Sequence, residues 1–447
     1  MKGRARLGAW VALGLSFGLS IWLGWQILFS APGGAVDFQG VFYGTRCLVE
    51  EHDPYSPSEM KAMYVEFLHQ PPPEGVFRAD LAFAGFVYQP TVIPLIAPFV
   101  WMGWSVAWRV WMVLLLAGLF ASGVLMWRVG AREAPGTALV LTCLLLGNAA
   151  LSIGSGNTAG VAIALCTIGV WCFLEEQYEM AGVFCVALSL LLKPHDSGAI
   201  WLYLLLAGGR WGRRAWQTLA LTAVVAIGSF VWVTAIAPSW SNEWKQNLAA
   251  ISGPGQMNNP AARTVEELHI TKTILDLQAA VAVFWPAASV YNAVSYAVCG
   301  LLLLAGAAAT VGRRLTTEQL WLGLTAVVPL ALLAVYHRPY DARLLLLTIP
   351  GCAMLVRRGG WTGKISRALT LVAIVLTGDL TTTFLPAALP LLHVGTATLI
   401  DEIMILLVTR TGVLALLAMS VFHLAVYIHA TMRSGAAGDG TLVAYGA

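Results

Sequence analysis

The chain has 447 residues, of which 58% are hydrophobic and 11% are charged, and its mean hydropathy is +0.74. Soluble domains carry about 25% charged residues, so this composition excludes a water-soluble globular protein. The formal net charge is only +3, and the sequence has no basic face of the kind that binds nucleic acid. The expected fold class is therefore an all-α polytopic membrane protein.

The N-terminal segment has three basic residues followed by an apolar run, 8–29, about as long as the roughly 20 residues that span a bilayer. A signal peptide has a similar charge pattern, but the length favours a retained first helix. Further apolar runs lie near 104–127, 137–151, 158–174, 181–192, 199–206, 216–237, 287–311, 320–335, 342–356, 368–385 and 403–430. The sequence thus predicts about twelve transmembrane helices in a single domain, 1–433, followed by a disordered cytoplasmic tail, 434–447.

Basic clusters occur in every second connection between these runs, as the positive-inside rule requires if the N-terminus is cytoplasmic. This pattern predicts a multi-pass protein of the plasma (inner) membrane with both termini in the cytoplasm. The turn 175–180 is an exception, since it lacks Lys and Arg. Runs 181–192 and 199–206 are too short to span alone. Either flanking residues extend them, or the link 193–196 lies recessed below the outer membrane surface.

Two long segments, 30–103 and 238–286, and the short turn 336–341 are left on the outside, where they hold most of the remaining polar residues. After Asp37, apolar residues recur every three or four positions, which predicts a short amphipathic helix. Asp37 would begin that helix, either as a capping residue or as a catalytic carboxylate. Its place just outside a membrane helix, near other external polar segments, favours catalysis.

Two further polar clusters are expected on the outer side. In Lys193-Pro194-His195-Asp196, the proline ends a helix and leaves the lysine and histidine able to meet an anion. A snorkelling lysine beside a surface histidine is the simpler alternative. The segment from Tyr336 to Arg343 is either an interfacial aromatic belt with paired charges or a phosphate or sugar site.

Acids in the first external segment, cations at outer helix ends and an apolar body suit a reaction on a lipid-borne anionic substrate. With a sugar on polyprenyl phosphate, the apolar body would hold the lipid, cations the phosphate, and a carboxylate would deprotonate the acceptor hydroxyl. The sequence lacks a Gly-rich phosphate loop, an HExxH pair, a zinc-spaced Cys/His pattern and a Gly-x-Ser-x-Gly elbow.

Several motifs occur in the order seen in a known family. This family is glycosyltransferase family 87, whose members have the GT-C fold and use polyprenyl-phosphate sugars. The chain resembles the start of that family in Asp37-Phe38, Tyr43, Asp53-Pro54-Tyr55 and Phe86-Val87-Tyr88-Gln89-Pro90. Gly154-Ser155-Gly156-Asn157 is similar to the family's Gly-Gln-x-Asn turn, Lys193-Pro194 to its Lys-Pro, and Tyr336-His337 with Asp341 to its late external turn. The resemblance covers roughly 8–358.

The resemblance implies an inverting hexosyltransferase, with mannose as the expected sugar and Asp37 as the general base. The residues expected to bind the donor phosphate are Lys193, His195, His337, Arg338 and Arg343. Those expected at the sugar or acceptor are Tyr43, Asp53, Tyr55, Tyr88, Asn157, Trp240, Trp244, Tyr336 and Asp341. The partners would be a polyprenyl-phosphate sugar, a lipid or glycan acceptor and membrane lipid. No metal or other cofactor is expected, because no second carboxylate is clearly paired with Asp37.

Two alternatives remain open at this point. A transporter or flippase of lipid-linked saccharide would be expected to carry charges or broken helices near the midplane, whereas the polar groups here concentrate on one side. A noncatalytic partner in envelope assembly would not need Asp37.

Overall fold

The computed structural model describes residues 3–30, 34–68, 86–262, 264, 267–268, 271, 273–384 and 398–439. These residues form helices joined by turns and loops, with no β-strand among them. The predicted segments fall partly outside them: 31–33 and 69–85 of the first external segment, 263, 265–266, 269–270 and 272 of the second, 385 at the end of an apolar run, and 440–447 of the tail.

In chain order the α-helices are α1 (Gly3–Ser30), α2 (Val36–Val49), α3 (Pro57–Leu68), α4 (Ile93–Val100), α5 (Trp104–Gly130), α6 (Pro135–Gly147), α7 (Ala150–Ser155), α8 (Thr158–Leu174), α9 (Glu179–Leu192), α10 (Pro194–Ala207), α11 (Gly209–Ile236), α12 (Trp240–Ser252), α13 (Leu277–Phe284), α14 (Ala288–Thr310), α15 (Thr317–Ala334), α16 (Ile349–Arg358), α17 (Gly360–Leu376), α18 (Asp379–Phe384), α19 (Leu399–Thr409) and α20 (Thr411–Asp439). Two 3-10 helices, Pro90–Val92 and Asp341–Thr348, precede α4 and α16.

Within the part of the chain that the structure describes, seven spans are long and apolar enough to cross a membrane: α1, α5, α6 together with α7, α11, α14, α15 and α20. The all-α polytopic fold is therefore confirmed. The other five predicted runs form shorter or broken helices, namely α8, α9, α10, the second 3-10 helix with α16, and α17 with α18. About twelve apolar segments are thus helical, but five of them are too short or too interrupted to span as single straight helices. Helix α20 continues to Asp439, so it includes the first residues of the predicted disordered tail.

One end of the bundle, which we call the basic end, is held by ion pairs between its connecting turns. The pairs are Arg132 with Glu175, Arg210 with Glu176, Arg214 with Glu179, Arg357 with Glu133, and Arg358 with Glu318. Three of these pairs place the turn 175–180 beside basic connections although it has no Lys or Arg of its own. The alternation of basic and nonbasic connections therefore holds through this turn.

The opposite end, which we call the site end, holds Asp37, Lys193 and His337. Helix α2 lies there, buried on all sides along most of its length, and it packs against α4 and α3. The predicted helix after Asp37 is thus confirmed, but its burial is not limited to an apolar stripe. Its N-cap is Ala35, whose φ of 43° is left-handed, and Asp37 lies inside the first turn. Asp37 is therefore not the capping residue, although its charge still suits the helix N-terminus.

The link at Lys193 joins two short helices, α9 and α10, of 14 residues each. At 1.5 Å per residue each is about 21 Å long, which is less than the roughly 30 Å of a hydrocarbon core. Ion pairs fix the other ends of these helices at the basic end. Flanking residues thus extend the predicted runs 181–192 and 199–206, but the two helices stay shorter than a hydrocarbon core, which is compatible with a recessed link.

Candidate functional site

The carboxylate of Asp37 is held by a side chain from a different part of the chain. Asn157 Nδ2 donates a hydrogen bond of 2.7 Å to Asp37 Oδ2. Asn157 Oδ1 accepts from the Ala159 backbone N–H at 2.8 Å, which caps α8. One amide therefore both starts a membrane helix and orients the carboxylate. An amide cannot take up a proton at neutral pH, so Asp37 is the basic member of this pair.

The turn before Asn157 can reach α2 because it contains glycine. Gly156 has a φ of +64°, and a Cβ there would lie 2.9 Å from the Cβ of Ala35. The Gly156 carbonyl accepts a 2.9 Å hydrogen bond from the indole of Trp111, which fixes the turn from the other side. A side chain at this position would push the turn away from α2 and separate Asn157 from Asp37.

Lys193 lies at the centre of a buried ionic cluster. Its ammonium donates a short hydrogen bond to Asp341 Oδ1 and lies 3.7 Å from Asp196 Oδ2. The other oxygen of Asp341 accepts the backbone N–H of Arg338 at 2.7 Å, so the carboxylate also closes the 338–341 turn. The alternative of a snorkelling surface lysine is wrong, because Lys193 is buried and paired with Asp341.

His337 joins this cluster from the loop after α15. Its Nδ1 lies 2.8 Å from the Val335 carbonyl, and its Nε2 lies 3.3 Å from Asp196 Oδ1. His195, which is exposed, places its Nε2 3.8 Å from the same oxygen. Both His337 and Asp196 are 0% exposed. The cluster thus has a buried interior and one histidine at its opening.

Tyr340 connects the cluster electrostatically with Asp37. The ammonium of Lys193 lies 4.8 Å from the centre of its ring, a cation–π arrangement. Burial raises the pKa of Tyr340 well above its usual value, and the charges of Asp341 and Asp37 act in the same direction. Burial and then Asp37 likewise raise the pKa of Tyr88. The Asp37 carboxylate is therefore within electrostatic reach of both tyrosines.

Arg338 is anchored by neutral groups. Its guanidinium donates to Thr273 Oγ1 at 2.8 Å, to the Met257 carbonyl at 2.5 Å, and to the hydroxyl of Tyr336. That hydroxyl in turn donates to Asn258 Oδ1 at 2.6 Å. No carboxylate forms an ion pair with Arg338 among the described residues. Its positive charge is thus not cancelled by a direct partner.

Arg343 serves a different purpose. Its guanidinium donates to the backbone carbonyls of Leu145, Asn148 and Pro339. Two of these carbonyls belong to the end of α6, where the last carbonyls of a helix have no partner within it. The two terminal nitrogens of Arg343 are therefore used within the fold, whereas its Nε has no hydrogen-bond partner among the described residues.

The remaining residues that we expected at the sugar or acceptor belong to an aromatic cluster under the external helices. Tyr43 packs on Tyr64 and Trp104, and Tyr55 on Phe86 and Trp240. Burial raises the pKa of Tyr43 to about 12. The indole of Trp244 donates to the Val87 carbonyl at 2.9 Å, and the Tyr55 hydroxyl donates to the Tyr88 carbonyl at 3.1 Å. These contacts hold α12 and the 86–88 segment against the turn that follows α2.

Asp53 lies in the turn between α2 and α3, where its Oδ1 accepts the Tyr55 backbone N–H at 2.8 Å. This bond is the turn structure that the Asp-Pro-Tyr sequence predicts. Burial raises the pKa of Asp53 to about 6, and the neighbouring carboxyl of Glu243 on α12 raises it as well, against an opposing hydrogen bond from Tyr55. Asp53 therefore belongs to the contact between two external segments.

Sequence reasoning assigned no role to Asp196 and Thr273, which the structure brings to the site, and it named Asn258 only as one of several polar candidates of the second external segment. Asp196 was part of the Lys-Pro-His-Asp cluster, and an acid in the first turn of an otherwise apolar helix was a usable signal. Asn258 and Thr273 lie in the second external segment and support Tyr336 and Arg338. Nothing in their local sequence distinguishes them from other loop residues.

Comparison with known proteins identifies the family. The model of glycosyltransferase family 87 matches residues 86–335, which is more than half of the chain. The matched region includes Asn157 and Lys193, whereas Asp37 and His337 lie outside it. No curated protein and no solved structure matches the chain. The chain belongs to glycosyltransferase family 87 and is a multi-pass membrane glycosyltransferase.

Proposed function

We propose that this glycosyltransferase moves a hexose from a polyprenyl-phosphate sugar to a hydroxyl of a lipid or glycan acceptor. Mannose is the first sugar to test. The observation that carries the proposal is the position of one carboxylate, Asp37, at the same end of the bundle as the cations Lys193 and Arg338. By the positive-inside rule the basic end faces the cytoplasm, so the reaction would take place at the outer face of the plasma membrane.

In this mechanism Asp37 accepts the proton of the acceptor hydroxyl. The acceptor oxygen forms a bond to C1 of the sugar from the side opposite the phosphate, so the configuration at C1 inverts. The C1–O bond to the phosphate breaks, and the phosphate keeps the electron pair. Polyprenyl phosphate is a weak base, so the departure of this group needs no general acid.

The donor phosphate would lie beside Lys193, Arg338 and His337. Lys193 is oriented by Asp341 and Arg338 by Tyr336, so both cations are held before substrate binds. Fixed cations stabilise the negative charge that develops on the leaving phosphate without the cost of reorganising them during the reaction. Asn157 has the corresponding task for the base, because it fixes one oxygen of Asp37.

The test is a transfer assay with the full chain in lipid nanodiscs. Polyprenyl-phosphate mannose, glucose and arabinose are supplied with a membrane-lipid extract, and release of polyprenyl phosphate is measured. Asp37→Asn should lower the rate by about 10²–10⁴-fold, because it removes the base. Glu66→Gln is the matched control, since Glu66 is an exposed carboxylate on α3 in the same external segment. It should transfer at the wild-type rate.

Release of lipid phosphate by wild type but not by Asp37→Asn, with equal donor binding, would support the proposal. Equal rates of release by wild type and Asp37→Asn would mean that another residue acts as the general base. If no donor released its phosphate with either protein, the donor class would be wrong. Movement of lipid-linked sugar across liposome membranes would then favour the flippase alternative.

A further inference from the structure

Three polar atoms at the core of the site have no hydrogen-bond partner among the described residues. They are both carboxylate oxygens of Asp196 and the Nε2 of His337. Buried polar groups are nearly always paired, since leaving one unpaired costs free energy. Asp196 Oδ2 has the Lys193 ammonium 3.7 Å away, but Asp196 Oδ1 and His337 Nε2, which come from two different segments, face each other at 3.3 Å. The arrangement of these two atoms points to a missing positive group between them.

The tautomer of His337 sharpens this argument. The Val335 carbonyl can only accept a hydrogen bond, so the His337 Nδ1 at 2.8 Å must carry the proton and donate it. In the neutral imidazole, Nε2 then has a lone pair, and this lone pair faces Asp196 Oδ1 at 3.3 Å. Two electron-rich atoms at this distance require either a second proton on the imidazole or a cation bound by both.

We propose that His195, His337 and Asp196 bind a divalent transition-metal ion, with Zn²⁺ as the best match. The Nε2 of His195 lies 3.8 Å from the same Oδ1, and one ligand atom from each residue lies within 4.8 Å of the other two. Bonds of about 2.0–2.2 Å place the ligand atoms of a tetrahedral zinc site roughly 3.3–3.6 Å apart. A charged imidazole–carboxylate hydrogen bond would be about 2.7–2.9 Å and would not use the second histidine.

The surroundings are those of a metal site with an open position. A backbone carbonyl holding the far nitrogen of a histidine is the usual outer support of a metal ligand. Three protein ligands with a fourth position open are the pattern of zinc sites that act on a substrate. His195 has 37% of its side chain exposed, so it gives the ion a route to the buried ligands.

Lys193 does not compete for the same place. Its ammonium lies near Asp196 Oδ2, whereas both imidazoles lie near Oδ1. The charges also favour a further cation. With neutral histidines, Lys193 and Arg338 only balance Asp196 and Asp341, and Asp37 makes the site negative. A phosphodiester donor would add another negative charge to a site that has no surplus of positive charge.

The role of the ion rests on the proposed function. When the C1–O bond breaks, the departing phosphate changes from one negative charge to two, and a divalent cation beside it stabilises that change. The sequence predicted no metal because it considered only carboxylates beside Asp37. The site proposed here lies on the donor side and uses two histidines.

Metal binding can be measured without any transfer reaction. The full chain in nanodiscs is freed of metal with a chelator and titrated with Zn²⁺ by equilibrium dialysis, and with Co²⁺ by its visible absorption. Wild type should bind one ion per chain. Asp196→Asn and His195→Asn should weaken binding by at least about 10–100-fold. His52→Asn changes an exposed histidine of the first external segment and should bind as wild type does.

His195→Asn keeps the test decisive if Asp196→Asn does not fold, because His195 is exposed. Failure of wild type to bind either ion would overturn the proposal and leave a proton between His337 and Asp196. Equal binding by wild type and His195→Asn would also overturn it. Full transfer by the chelated protein would refute the role of the ion while the proposed function stands. Stoichiometric binding without transfer would support the metal site and refute the donor.

Discussion

At the basic end, the ion pair between Arg132 and Glu175 leaves 60% of the arginine side chain exposed, whereas at the site end the side chains of Lys193 and Asp341 are 10% and 1% exposed. Exposed pairs contribute at most about 1 kcal/mol, because water screens them and the side chains lose freedom. Buried pairs are costly to assemble and more costly to break. The exposed pairs of the basic end therefore contribute little to stability, whereas the buried pair of the site end fixes the positions of its two side chains.

Breaking the buried pair should produce the largest effect. Lys193→Met leaves Asp341 and Asp196 without their ammonium, and we expect a loss of about 3–5 kcal/mol in the free energy of unfolding together with loss of transfer. Thermal unfolding in detergent and the transfer assay measure the two effects. Adding Asp341→Asn to Lys193→Met removes the unpaired charge and keeps an oxygen that can accept the Arg338 backbone N–H, so it should recover part of the stability but no activity. A double variant as unstable as the single one would contradict the pairing.

Arg343 separates structure from substrate binding. Arg343→Met removes the donors from the carbonyls at the end of α6, so it should cost about 1–3 kcal/mol in the free energy of unfolding. Since its terminal nitrogens bond backbone carbonyls of the fold, the KM for the sugar donor should stay within about twofold of wild type. The unfolding temperature and the donor KM of the same sample decide this. A raised KM with an unchanged unfolding temperature would instead indicate that Arg343 binds the donor phosphate.

Asp53 should make the contact between the α2–α3 turn and α12 sensitive to pH. The pKa of Asp53 is raised from 3.8 to about 6, so its contribution is fully present below about pH 4 and is lost as the pH rises through about 6. Hydrogen-exchange protection factors of α12 should be higher at pH 5 than at pH 7.5. Asp53→Asn should remove this difference. Persistence of the difference in the variant would assign it to another group.

The smallest effect is expected at the basic end. Arg132→Ala removes one exposed partner of Glu175 and should change the free energy of unfolding by less than about 1 kcal/mol, with transfer unchanged. Thermal unfolding of this variant beside Lys193→Met measures the contrast between the two ends directly. A loss comparable to that of Lys193→Met would mean that the turn 175–180 is held more strongly than an exposed pair allows.

Much of the fold could be predicted, because apolar runs and basic clusters are local patterns of the chain. The bounds of α8 agree with the predicted run, and α2 is the helix that its apolar spacing indicates. Short amphipathic helices were expected in the external loops, but the positions of α12 and α13 were not predicted, since their sequences also suit ordinary loops. The breaks in the late apolar runs were missed because hydropathy does not register a change from α to 3-10 geometry.

The site was predicted less completely, because no short segment of sequence indicates which side chains from distant parts of the chain contact each other. Asp37 and Asn157 are 120 positions apart, and Lys193 and Asp341 are 148 apart. Their motifs could be recognised singly, but not which groups would neutralise each other. Arg343 shows the opposite error: its sequence neighbours suggested phosphate, whereas the end of α6 takes its hydrogen bonds. That assignment depended on tertiary structure.

The shortness of α9 and α10 has a consequence for the kind of molecule that can reach Lys193. Two helices of about 21 Å leave the lysine at the level of the lipid chains rather than in the water layer. A sugar carried by a membrane lipid arrives at this depth by lateral diffusion, with its phosphate already near the cation. A soluble sugar nucleotide would have to give up its hydration before it touched the site. Under the proposed function, this depth would favour the lipid-linked class of donor over the soluble one before any residue contacts the sugar.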